Sequence, residues 1–153
     1  MLFRSVALRP LAEEIVSSLH DTAAAKNVSL IVTGEAAAVR SVRRLLSEIL
    51  YNLCDNAIKY NVPNGSVTVD LSPTANGATL TVSDTGIGIP PEHQSRVFER
   101  FYRVDKSRSK ATGGTGLGLA IVKHIARIHD ARIKLESQVD VGTTITVTFP
   151  TAN

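Results

Sequence analysis

Asn52, Asn56 and Lys59 stand four and then three residues apart in the run E-I-L-Y-N-L-C-D-N-A-I-K-Y. On a helix turning about 100° per residue they share a face with Glu48 and Asp55, while Val42, Leu46, Ile49, Leu50, Leu53 and Ala57 fall on the opposite, core-seeking side. Asparagine is a mediocre helix former, so two of them on one face point to a use, although a solvated face is the plain alternative. An amide carbonyl can supply one ligand to Mg2+, which keeps most of its waters and takes phosphate oxygens for the rest. Lys59 is placed to balance phosphate charge.

Three further segments carry chemistry. In D-T-G-I-G-I-P, residues 84–90, Asp84 can accept a hydrogen bond from an exocyclic amine such as that of adenine, and the glycines let backbone approach a ligand closely. It reads equally as a strand-to-helix turn with a capping aspartate. In F-E-R-F-Y-R, residues 98–103, Phe98 and Phe101 are expected to pin a short helix or loop end to the core, with Arg103 reaching beyond. In G-G-T-G-L-G-L-A, residues 113–120, free N–H groups and the positive end of the next helix make a phosphate cradle. It is not a Walker loop, because Leu119 and Ala120 follow Gly118 in place of Lys and Ser/Thr. Nor is it a dinucleotide fingerprint, because no strand directly precedes it.

The elements that must position these groups follow from periodicity. A helix is expected over Leu11–Ala25, a strand over Val28–Thr33, a weak strand over Ala36–Arg40, and a long helix over Ser41–Tyr60. Ser66–Leu71 and Ala78–Asp84 form a hairpin turning at Asn76-Gly77. Pro90-Pro91 starts a short helix, Leu117–His129 is another, and Arg132–Ser137 and Thr143–Phe149 close the chain as strands. Helices and antiparallel hairpins in this order predict an α+β, two-layer sandwich: a mixed, mostly antiparallel sheet with helices on one face.

Length and composition fit one domain: 153 residues, 43% of them hydrophobic and 20% charged. Cys54 is the single cysteine, which excludes a disulfide within the chain. The net charge of +3 is concentrated in residues 100–110, with five basic side chains against one acidic. That suits a small polyanion or a solvated loop better than nucleic acid, whose binders spread charge over a face. No apolar run is long enough for a membrane span, and no membrane contact is expected.

In their order, N-L-C-D-N-A-I-K-Y, D-T-G-I-G-I-P, F-E-R-F-Y-R and G-T-G-L-G-L-A-I-V-K resemble the four boxes of the histidine kinase ATP-binding domain of the GHKL superfamily. The tail G-T-T-I-T-V-T-F-P resembles that domain's last strand. The resemblance spans roughly residues 28–150 and implies ATP and Mg2+ as ligands. It makes Asn56 the metal ligand, Asn52 the second amide of the box, and Lys59 the group reaching the phosphates. Tyr60 would border adenine, and Asp84 would take its amine between Gly86 and Gly88. Arg103, Lys106, Arg108 and the loop holding Thr115, Gly116, Leu117 and Gly118 would form a mobile ATP lid. His129-Asp130-Ala131 departs from the family's His-Gly-Gly and touches no assigned role.

Hydrolytic relatives on this fold place a glutamate base where this chain has Asn52. An amide cannot take a proton from water, so the resemblance implies phosphoryl transfer to a positioned nucleophile rather than hydrolysis. In the family that nucleophile is a histidine in an H-E-x-[R/K]-x-P context. His20, His93, His124 and His129 do not match it and are read as structural. The acceptor is therefore expected on a separate dimerisation and phosphotransfer domain of the same parent, with a response regulator downstream. Residues 1–27 would be an N-terminal extension and helix of the domain formed by 28–153. The domain would lie on the cytoplasmic side of an inner-membrane sensor. A serine kinase of the anti-sigma type, a non-catalytic nucleotide-sensing module and a basic nucleic-acid module are the rival readings.

Overall fold

A computed structural model describes residues 2–75, 77–104 and 116–150. The chain runs β1 (Arg4–Ala7), α1 (Leu8–Ser18), α2 (His20–Ala25), β2 (Ser29–Gly34), β3 (Ala38–Ser41) and α3 (Arg43–Lys59). It continues with β4 (Ser66–Thr74), β5 (Gly77–Asp84), α4 (Pro91–Gln94), α5 (Gly118–Ile128), β6 (Arg132–Gln138) and β7 (Gly142–Pro150). Five strands form one sheet in the order β2-β4-β5-β7-β6, and β1 pairs with β3 as a separate antiparallel ribbon. Only β2-β4 is parallel in the larger sheet, so it is mixed and mostly antiparallel, as the pattern predicted.

The sheet is two-sided. Val67, Val69, Leu71, Ala78, Leu80, Val82, Ile145, Val147 and Phe149 are buried on the helix-covered face. Hydroxyl groups line the other: Thr81 donates to Thr146 at 3.4 Å and Thr144 to Ser83 at 3.1 Å. Strict alternation along β4, β5 and β7 is what a half-covered sheet requires.

Helix α3 contacts β4 and β5 as well as α1 and α5. Leu46, Ile49, Leu50, Leu53 and Ala57 are buried, as their spacing predicted, and Leu45, Cys54 and Ile58 join them because the helix has neighbours on several sides. Val42 is the residue before the helix and only half-buried. Burial, then the neighbouring charge of Asp55, pushes the Cys54 thiol up to about 12.

The single helix expected over Leu11–Ala25 is two, joined at Leu19 (φ −98°, ψ 4°). It begins earlier, at Leu8, whose N–H finds the Ala37 carbonyl at 2.9 Å. Pro10 sits inside the first turn, where no intrahelical N–H is needed. Leu8, Leu11, Leu19 and Ala23 are buried in the same cluster as α3, so residues before 28 share its core.

The departure at His129-Asp130-Ala131 leaves the turn intact. Asp130 adopts φ +52°; its N–H meets Arg127 O at 3.1 Å and that of Ala131 meets Ala126 O at 2.9 Å. This is the paired carbonyl closure that ends many helices, usually with glycine at the left-handed position.

Candidate functional site

The four segments singled out by sequence converge on a cavity of about 620 Å³. Asn52, Asp55, Asn56 and Lys59 of α3 form one wall. Asp84 and Gly88 form the floor of one end, and Gly116, Leu117 and Gly118, at the start of α5, bound the other. Tyr60 and Arg103 also line it. Of the remaining expected residues, Gly86 does not line the cavity and packs against the Tyr60 carbonyl, and Lys106, Arg108 and Thr115 fall outside the described residues.

Asp84 ends β5 and is held by backbone. Its Oδ1 accepts from Gly86 N–H at 2.8 Å and Thr143 N–H at 3.2 Å, leaving Oδ2 as the oxygen for a ligand. Burial raises its carboxyl above the ordinary range, and the two N–H donors only partly pull it back. Two glycines make this end possible. At Gly88 (φ +73°) a Cβ would stand 2.2 Å from Gln138 O, and at Gly142 (φ +146°) it would stand 2.0 Å from Asp84 O. Neither position admits another residue, because both the dihedral and the space forbid it.

The α3 wall is held differently. Asn52 Nδ2 donates to Glu48 O of its own helix at 2.7 Å, with its Oδ1 against the start of α5, 3.3 Å from where a Cβ on Gly118 would sit. Lys59 Nζ pairs with Asp55 Oδ2 at 3.0 Å, one turn back. Glu48 faces solvent and pairs with Arg44 instead of lining the cavity. The start of α5 has no side-chain cap, and the N–H groups of a helix start suit an anion. Asn52, Asp55 and Asn56 offer only oxygen ligands, which fits a hard cation held largely by water and phosphate.

Two expectations for packing side chains need correction. Phe98 packs on the core, but Phe101 is 63% exposed at φ +65° and pins nothing. Its N–H bonds Gly116 O at 2.8 Å, so it is backbone that joins this segment to the start of α5, and Val97 supplies the buried side chain. Among the histidines, His129 is buried between Ile125 O and Ser41 Oγ, and His93 bonds the Tyr102 hydroxyl. His20 and His124 are exposed, on the solvent sides of α2 and α5, and pack no core.

Sequence reasoning missed Thr143 and the β6–β7 turn, whose Val139 and Asp140 line the cavity. Gly142 before an alternating strand announced a turn, but nothing in one chain's pattern tells that it meets Asp84.

An α/β sandwich with an aspartate and glycine-loop floor, an asparagine-bearing helix wall and a glycine-rich helix start defines the class of ATP-binding sandwich domains. The chain belongs to the histidine kinase-, DNA gyrase B-, and HSP90-like ATPase family, whose model matches residues 41–153, as an ATP-binding catalytic domain of the sensor histidine kinase kind. It is 47% identical over 131 residues to the sensor-like histidine kinase SenX3 of Mycolicibacterium smegmatis, covering 83% of this chain and 34% of that protein. It is 39% identical over 150 residues to the phosphate regulon sensor protein PhoR of Pseudomonas aeruginosa, covering 97% and 34%. The chain thus spans about a third of the length of these relatives. Among solved structures, a mycobacterial sensor histidine kinase, MprB, superposes with a TM-score of 0.84 at 28% identity, covering 97% of each chain. Full-length ShkA in complex with AMPPNP gives 0.84 at 25% identity, covering 99% of this chain and 32% of that one.

Proposed function

We propose that this chain binds Mg-ATP and donates the γ-phosphoryl group to a histidine on a separate dimerisation and phosphoacceptor domain of its parent protein, in two-component signalling to a response regulator. The observation that carries it is the amide of Asn52 at the cavity wall, fixed to Glu48 O at 2.7 Å. An amide there cannot deprotonate water. With an amide where a hydrolytic site needs a base, the better nucleophile is supplied from outside, positioned by its own domain.

Each group then has a task. Asp84 Oδ2 accepts the adenine amine, and Tyr60 borders the base. Asn56 would hold Mg2+, which would supply positive charge to offset that of the phosphates. Lys59 exchanges Asp55 for phosphate oxygens. The N–H groups from Gly116 to Gly118 receive the terminal phosphates, and Arg103 closes that end with Lys106, Arg108 and Thr115. Residues 1–27 act as an extension of the domain formed by 28–153. No helix among the described residues is long and apolar enough to cross a membrane; placement on the cytoplasmic face of an inner-membrane sensor is part of the proposal.

Calorimetric titration with ATP, with and without Mg2+, tests the first half: one-to-one, magnesium-dependent binding is expected. Mixing the domain with a separately produced acceptor domain and labelled ATP tests the second. Acid-labile phosphate on the acceptor histidine is expected, and none on this chain alone. ATP turnover to ADP at an undiminished rate without any acceptor would sink the transferase reading.

A further inference from the structure

Ser137, on β6 and outside every motif above, ties the base end of the cavity together. Its Oγ receives the Ile89 N–H at 2.8 Å, lies 3.1 Å from Gly142 O, and lies 2.7 Å from Thr143 Oγ1. The hydroxyl has one proton and two lone pairs. A carbonyl has no proton to give, so the Gly142 contact requires the Ser137 proton. Ile89 N–H occupies one lone pair. All three bonds form together only if Thr143 donates its own proton to the second lone pair.

We propose that Ser137 is a specificity-determining positioning residue: it turns the Thr143 proton away from the cavity, so that Thr143 Oγ1 meets a base as an acceptor and favours a 6-amino over a 6-oxo purine. The proposal deepens the nucleotide reading and rests on it. Thr143 lines the cavity, its N–H bonds Asp84 Oδ1 at 3.2 Å, and the two residues pair across β5 and β7, which puts their side chains on one face of the sheet. Two neighbouring acceptors welcome the N–H protons of an amine. They repel a carbonyl oxygen, whose lone pairs find no donor. Without the Ser137 hydroxyl the Thr143 proton is released, and Thr143 can donate to a 6-oxo group. Gln94 makes a separate brace, its Nε2 donating to Ile89 O at 2.9 Å and Ser137 O at 3.1 Å. That brace holds the walls without touching the proton assignment.

The experiment is calorimetry on the whole chain with Mg2+ and three probes: ATP, inosine triphosphate and inorganic triphosphate. Ser137→Ala is expected to weaken ATP about three- to tenfold, the range of one neutral hydrogen bond. Inosine triphosphate should hold or tighten, so the ATP preference falls by at least that factor, and inorganic triphosphate should not change. Thr143→Val, which removes the acceptor itself, should lower ATP affinity similarly. Gln94→Ala should weaken both nucleotides equally.

Equal losses for ATP and inosine triphosphate in Ser137→Ala, or a ratio shift just as large in Gln94→Ala, would overturn the role given to the hydroxyl while leaving the nucleotide site standing. If the unaltered chain bound ATP no better than inorganic triphosphate, the base-pocket reading would fall and take this proposal with it.

Discussion

The two ends of the cavity are built by opposite means. At the Asp84 end, which we assign to the base, three segments distant in sequence brace one another. Asp84 takes N–H groups from Gly86 and Thr143, Asp140 N–H reaches Ile87 O at 2.9 Å, and Gln94 and Ser137 tie the glycine loop to β6. At the end we assign to phosphate the polar side chains are held by their own helix: Asn52 by Glu48 O, Lys59 by Asp55. A rigid planar ring needs a pocket of fixed shape, and ordering it in advance lowers the cost of binding. Phosphates and a hydrated cation need partners that can be exchanged, and a partly exposed i,i+4 ion pair is cheap to break.

The strongest way to break this contrast is to undermine both ends. Leu53, 2% exposed on the core side of α3, is expected to cost about 2–5 kcal/mol as Leu53→Ala. Chemical denaturation should show the loss, and both ATP and inorganic triphosphate binding should weaken near the new midpoint.

Asp84→Asn attacks the base end alone. A hydrogen bond to a charged group is worth about 1.5–3 kcal/mol, so ATP should weaken roughly ten- to a hundredfold. Inorganic triphosphate should bind as before; a parallel loss would show that the ends are not independent.

Acid sharpens the same point. Burial raises the Asp84 carboxyl above its ordinary value of 3.8. The native state therefore takes up its proton before the unfolded chain does, so between the two values this group favours the fold more as pH falls and less as pH rises. If Asp84 takes the adenine amine as proposed, its ionised form is the stronger acceptor, and ATP binding should move the other way, weakening as pH falls through the native value. Binding and melting measured across that range should diverge in sign.

At the phosphate end, Asn56→Ala should remove most of the magnesium dependence of ATP binding while sparing affinity for adenosine. Unchanged magnesium dependence would move the metal away from α3. The smallest effect lies outside both ends. Asp130→Gly relieves a left-handed residue and is expected to stabilise the fold by about 0.5–1 kcal/mol, seen as a higher melting temperature with unaltered ATP affinity.

The α3 wall of the cavity was legible before the structure because its residues are local. Asn52, Asn56 and Lys59 share a face by helical arithmetic alone, and Leu46, Ile49, Leu50 and Leu53 share the other. The base end was legible only where a motif is contiguous, as from Asp84 to Pro90. Thr143, Ser137 and Gln94 escaped notice because each is an ordinary residue made important by pairing across strands. The α1–α2 break escaped for a related reason: Leu11, Ile15 and Leu19 keep helical spacing through a joint that periodicity does not feel. Phe101 was misjudged because an aromatic one turn from another implies a helix, and its positive φ removes it from that geometry.

By itself the sequence determined the α+β class, the strand alternation that leaves one sheet face wet, the polar face of α3 and the glycine-rich start of α5. These follow from periods of 2 and 3.6 residues and from backbone freedom at glycine, all of them short-range properties of the chain. Tertiary structure alone decided that β7 lies between β5 and β6, bringing Thr143 to Asp84 and Ser137 to Ile89. Strand order and register are set by which whole arrangement buries the most apolar surface while pairing every backbone group, and no single segment carries that information.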